Sequence, residues 1–171
     1  MLVLAQILGA IAVILFLSSF QLKKRIYIVW VTCISNCLYV LQYLLLGAFS
    51  GALLDVISTA SSFLATKKNQ PKFKKYSVFI ATVIGALIVA TGTYIAVSQK
   101  NWVEIIAVFG ALFQTVGLWF NEEQTIRKFA LIGAPFWIVY NILSQAYAAA
   151  VGTALVIVSI VVSLYRYKKQ N

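Results

Sequence analysis

The residues able to do chemistry in this chain are few, and most stand inside apolar runs. Asp55 is the sharpest case. It lies in the run Gly51 to Ala65 with no basic residue nearby in sequence. An ionised aspartate at the centre of a membrane helix costs about 2.5–3.5 kcal/mol on insertion scales. Such a group must be neutral, paired or facing water. A residue lining an aqueous cavity would bind a polar solute or carry a proton; a hydrogen-bonded structural carboxyl is the competing account.

Helical spacing sets further polar residues at comparable depth. Thr32, Asn36, Tyr39 and Tyr43 share one face, as do Gly51, Asp55, Ser58 and Ser62. Gly133, Trp137, Tyr140 and Ser144 share another, with Asn141 adjacent, and Gln114 sits near the middle of its own apolar run. Trp137 offers a flat face to a sugar or heteroaromatic ring, whereas Trp30 and Trp102 fit interface anchors. The candidate substrate-binding set is therefore Asn36, Tyr39, Asp55, Ser58, Gln114, Trp137, Tyr140 and Asn141. Helix packing is the alternative for the serines and glycines, because small and hydroxyl residues let helices approach closely.

Several chemistries drop out. The sequence has no histidine. Cys33 and Cys37 share a helical face but have no second pair of metal ligands and no base, so they are expected to be packing residues. Asp55 is the one deep carboxylate, and an intramembrane enzyme needs a nucleophile–base pair or two acids at one depth. Glu122 and Glu123, beside Arg127 and Lys128, belong to an expected short solvated loop. No catalytic residue, metal site or cofactor is expected.

The elements that must position these residues follow from composition. Of 171 residues, 62% are hydrophobic and 11% are charged, against about 25% charged in soluble domains. Lipid is the expected solvent for most of the surface. A span needs about 20 apolar residues, and the sequence divides into seven: 2–20, 26–46, 48–66, 77–97, 102–120, 129–148 and 150–166. Uncharged turns around Gly47, Ser50 and Gly51, and from Ala148 to Gly152, separate the closest pairs. Met1 to Phe20 has no preceding positive charge, unlike a signal peptide, so it is expected to remain as a span. The net charge of +10 is confined to clusters between spans, with no groove-reading motif, which argues against nucleic acid. With the N-terminus outside and the C-terminus cytoplasmic, thirteen of the fourteen basic residues lie inside and only Lys100 lies outside, as the positive-inside rule requires. The basic run Lys67 to Lys75 serves topology, with anionic lipid as its alternative role.

Sliding the chain by 101 residues aligns Gly9-Ala10 with Gly110-Ala111, Tyr39 with Tyr140, Gly51 with Gly152, Ser58 with Ser159, Ser62 with Ser163 and Lys67-Lys68 with Lys168-Lys169. Two three-span repeats can be parallel only if a single span lies between them. The expected architecture is all-α, with seven transmembrane helices in a 3+1+3 arrangement. Residues 1–70 form the first triple-helix bundle, 71–101 the basic loop and inverter helix, and 102–171 the second bundle.

At this point the sequence resembles the clan of SWEET, PQ-loop and PnuC transporters, and within it the YgjV family of bacterial inner-membrane proteins. The resemblance rests on Leu4-Ala5-Gln6-Ile7-Leu8-Gly9, on Gly47 to Asp55, and on Trp137-Ile138-Val139-Tyr140-Asn141 followed by Gly152-Thr153. The Trp137 and Asn141 pair is also similar to the PnuC vitamin-precursor carriers. The resemblance implies an inner-membrane location, substrate binding between the bundles and alternating access. The clan's hinge proline in the first helix of each bundle is missing here, so bending would fall at Gly9, Gly110 or Gly117. The functional expectation is a small-solute transporter or facilitator for a neutral or cationic polar molecule, such as a sugar or vitamin precursor. No arginine in the interior of the expected spans is available to clamp an anion, Arg166 standing at the cytoplasmic end of the last one. The alternative is a non-transporting membrane scaffold or accessory protein. Expected partners are the solute and membrane lipid; the oligomeric state is open.

Overall fold

A computed structural model describes residues 2–46, 49–143 and 147–168. All regular structure there is helical: α1 (Leu2–Ser19), α2 (Arg25–Leu46), α3 (Phe49–Lys67), the short α4 (Pro71–Lys74), α5 (Ser77–Ser98), α6 (Val103–Gly117), α7 (Glu123–Leu143) and α8 (Tyr147–Lys168). Four segments are long and apolar enough to cross a membrane: Arg25–Leu46, Ser77–Ser98, Glu123–Leu143 and Ala150–Tyr167. Val3–Ser19 and Val103–Gly117 are shorter apolar helices. Large apolar side chains such as Val3, Val78, Phe79 and Tyr94 face outward, as suits a surface solvated by lipid.

Each helix packs mainly on its neighbour in sequence. α1 lies along α2 and α2 along α3; α6 lies along α7 and α7 along α8. α5 bridges the two groups by packing on α3 and α6, and direct contacts between the groups run through α1–α8 and α3–α6. One stripe of α5, comprising Ile84, Gly85, Ile88, Gly92, Ile95 and Ala96, is buried. Gly92 is required there, since a Cβ would stand 2.0 Å from a methyl of Val108 on α6. α5 ends on Lys100 at φ 51°, a left-handed cap that returns the chain toward α6. The Asn101 side chain then accepts from the Val103 N–H.

Some boundaries depart from expectation. The span expected at 129–148 is the helix Glu123–Leu143. Hydropathy marks only its apolar part, but Glu, Gln, Arg and Lys are good helix formers, so the segment 123–128 continues the helix. Ser50, Gly51 and Ala148 to Gly152, expected in turns, are helical. Gly47, Ala48, Ser144 and Lys169 lie outside the described residues. Gly9, Gly110 and Gly117, the expected bending points, admit the side chains of Gln42, Trp137 and Phe129 against the backbone. Pro135 lies inside α7 and deprives the Leu131 carbonyl of its helical donor.

Candidate functional site

Between the two helix groups lies a cavity of about 70 Å³. Phe16 of α1, Asn36, Tyr39 and Tyr43 of α2 and Asp55 of α3 line one side. Gln114 of α6, Ala130, Ala134, Trp137 and Asn141 of α7, and Thr153 and Val156 of α8 line the other. α5 contributes nothing to the lining. A water needs roughly 10–15 Å³ on this measure, so the space holds a handful of waters or one small solute.

The helices explain how the lining is placed. Gly51 packs against the ring of Tyr43, where a Cβ would come to 3.4 Å. Asp55 follows one turn along α3 and Tyr39 precedes Tyr43 by one turn along the antiparallel α2, so the carboxyl faces the two rings. Those rings stack with centroids 6.3 Å apart. Trp137 leans on the bare Cα of Gly110, where a Cβ would meet the indole at 2.9 Å. Its ring meets Tyr140 edge-on at 5.8 Å, and its Nε1–H is buried with no acceptor among the described residues. The Asn36 amide donates to Ser62 Oγ at 3.4 Å, and the Asn141 amide donates to Thr153 Oγ1 at 3.4 Å. Asp55 has no hydrogen-bonding partner or counter-ion among the described residues. Under the shift of 101, Asn36 and Trp137 occupy equivalent positions, as do Asp55 and Val156. The two groups thus present related backbones but different side chains to one space.

Six of the eight candidate residues, Asn36, Tyr39, Asp55, Gln114, Trp137 and Asn141, line this cavity. Ser58 and Tyr140 do not. Ser58 is buried against Thr115 of α6, with 3.2 Å between the hydroxyls. The Tyr140 hydroxyl donates to Glu104 Oε2 at 3.5 Å. Glu104, buried in the first turn of α6, is a second deep carboxylate that the sequence reading did not single out. A span counted from Trp102 places it at an interface, and its burial follows from the packing of α6 on α7.

The lysine-rich end of the molecule holds a second structure that sequence reasoning missed. Arg25 and Arg127, expected in solvated loops, are 7% and 1% exposed. Arg25 opens α2 but reaches across to the end of α6, where Nε donates to the Phe120 carbonyl at 2.7 Å. Its Nη2 donates to Leu118 at 2.7 Å and to Ala65 at 3.0 Å. Arg127 of α7 reaches back to the end of α1, donating to Phe20 at 3.1 Å and Leu22 at 2.8 Å. Its guanidinium lies 4.5 Å from the Tyr167 ring centroid. The last carbonyls of a helix lack internal donors and sit at the negative end of its dipole; a guanidinium fork answers both needs. Glu123, first residue of α7, accepts from the Arg25 backbone N–H at 3.0 Å, supplying the acceptor that a helix N-terminus favours.

Hydroxyls and amides extend this seam. Ser159 donates to the Leu17 carbonyl at 3.0 Å, and Gln21 donates to the Ser159 carbonyl and hydroxyl at 2.8 and 2.9 Å. Tyr167 donates to the Gln21 carbonyl at 2.6 Å, and Trp119 Nε1 donates to Ser61 at 2.9 Å. Lys68 donates to the Trp119 carbonyl. Burial and the neighbouring Arg25 push the Lys68 ammonium below its ordinary pKa. Among the described residues, the side-chain hydrogen bonds between the two groups are concentrated on the lysine-rich side of the cavity.

Residues 3–171 match the family model of Imp-YgjV, described as a bacterial inner membrane protein. No curated protein and no solved structure matches the chain. The match spans nearly the whole sequence, so the chain belongs to the Imp-YgjV family. It is a multi-pass inner-membrane protein. Family and helical architecture together are consistent with a transport-related membrane protein.

Proposed function

We propose that this Imp-YgjV protein is a small-solute transporter or facilitator that crosses the inner membrane seven times as a 3+1+3 array. The first bundle is 1–70, the inverter segment 71–101 and the second bundle 102–171. The N-terminus lies outside and the C-terminus in the cytoplasm. The sequential packing of α1–α3 and of α6–α8, with α5 bridging them, supports that division. The confinement of the basic clusters to one end supports the orientation.

One observation carries the transport reading: a cavity lined by both polar and apolar side chains, Asp55 among them, lies between two helix groups whose hydrogen bonds to each other are concentrated on one side of it. In the proposed orientation that side is cytoplasmic, so this conformation is closed inward. Breaking the reciprocal arginine contacts while new contacts form at the other end gives alternating access. A scaffold protein would have no need for a carboxylate in a cavity with no partner among the described residues, because burying an unpaired polar group costs stability with no structural return.

Solute binding falls to Asn36, Tyr39, Asp55, Gln114, Trp137 and Asn141, which offer donors, acceptors and aromatic faces without a basic residue. Arg25 and Arg127 are spent on backbone carbonyls away from the cavity, so an anion still lacks a clamp there. The substrate class is a small neutral or cationic polar molecule.

The test is flux. Purified protein in proteoliposomes is expected to catalyse uptake of at least one compound from a panel of labelled polar solutes, and Asp55→Asn is expected to abolish it. A protein that binds and moves nothing across such a panel, yet co-purifies stoichiometrically with another membrane protein, is the scaffold instead.

A further inference from the structure

The cavity's chemistry narrows the solute class. Asp55 is the one acidic residue, and no basic residue occurs, in its lining among the described residues. Aromatic rings stand around it: Tyr39 and Tyr43 on α2, Phe16 on α1 and Trp137 on α7. No basic side chain faces the space to neutralise the carboxylate.

We infer that the cavity is a recognition site for a small organic cation, a substituted ammonium held between the Asp55 carboxylate and the faces of Tyr39, Tyr43 and Trp137. This inference rests on the transporter reading for its physiological meaning, although the binding site itself does not require transport. The reasons are three. A lone carboxylate surrounded by low-dielectric protein is stabilised by whatever cation joins it. Aromatic faces attract cations through the ring quadrupole, Trp most strongly and more so once water is excluded. Size also favours a small cation, because the cavity of about 70 Å³ is well below the roughly 300 Å³ at which drug-sized ligand pockets begin.

A metal ion is the poorer occupant. Calcium takes six to eight oxygen ligands, and no group of three or more potential acidic, thiol or imidazole ligands occurs among the described residues. Glu104, the other buried acid, engages Asn101 and Tyr140 rather than the cavity. Asn36, Gln114 and Asn141 remain to orient polar substituents of the cation.

The experiment compares two probes of the same shape: choline, and its uncharged isostere 3,3-dimethyl-1-butanol. Thermal unfolding of the full-length purified protein is followed with each probe, with glucose and with sodium chloride. Choline at saturation is expected to raise the midpoint by several degrees. The isostere, glucose and sodium are expected to leave it unchanged. Asp55→Asn is expected to lose the choline shift while remaining folded, and Asp55→Glu to keep part of it. Equal shifts by choline and its isostere, or a choline shift that survives in Asp55→Asn, overturn the cation site and leave a neutral-solute transporter standing. A shift produced by sodium alone assigns the carboxylate to an inorganic ion and overturns it too, as does no shift with any probe. A choline shift in a protein that moves no member of the labelled panel, choline included, across proteoliposomes keeps the cation site and sinks the transporter.

Discussion

The lysine-rich seam and the central cavity lie within one bundle yet handle most of their buried polarity in opposite ways, the exception at the seam being Gln21 Oε1, buried with no partner among the described residues. At the seam the buried guanidiniums of Arg25 and Arg127 each meet carbonyls at the end of the other group's first helix. In the cavity Asp55 has no partner among the described residues; the N–H of the lining residue Trp137, packed against Gly110, also has no acceptor among them. Charge-assisted hydrogen bonds made to orphaned helix-end carbonyls stabilise the fold. Unmade ones destabilise it, and a protein retains them where a ligand completes the set. The difference separates residues that hold the two groups together from residues that wait for something to bind.

That separation yields predictions of decreasing size. Arg127→Met removes both bonds to the end of α1 and leaves the Phe20 and Leu22 carbonyls unsatisfied. It is expected to cost on the order of 3 kcal/mol, read as a lowered thermal midpoint in detergent. Arg127→Lys is expected to recover only part of it, because an ammonium cannot reproduce the planar fork. Gly92→Val drives side-chain atoms into Val108 and is expected to cost about 1–3 kcal/mol by overpacking, loosening α5 from α6. Ser159→Ala deletes the donor to Leu17 and an acceptor for Gln21, at about 1 kcal/mol. If the seam is also the gate, the same variant should raise solute exchange in proteoliposomes despite its lower stability.

Asp55→Asn reverses the pattern. It is expected to leave the thermal midpoint unchanged or raise it slightly, since an amide in a cavity costs less than an unpaired carboxylate, while abolishing solute-dependent stabilisation. A large loss of stability in Asp55→Asn would erase the distinction between the two regions and make the carboxyl a structural group. Trp30→Leu serves as the reference. Trp30 is half-exposed and meets Phe63 edge-on with centroids 6.1 Å apart, so its replacement is expected to stay within about 0.5 kcal/mol.

The apolar runs of the sequence determined the helices and where most of them lie, because a backbone in lipid must satisfy its hydrogen bonds within each segment. Polar residues at helical spacing within those runs marked Asn36, Tyr39, Asp55, Gln114, Trp137 and Asn141 as one candidate set, because depth and face follow from a rise and a period. Only the tertiary structure decided which faces meet. It placed Ser58 against Thr115 at the seam and Tyr140 on Glu104, since partners on other helices, and not local spacing, fix those contacts. It also turned Arg25 and Arg127 inward. A basic residue beside an apolar run has the same sequence signature in a solvated loop and in a helix-end clamp. The distinction rests on whether another helix brings its last carbonyls within hydrogen-bonding reach of the guanidinium, and no segment of the chain carries that information by itself.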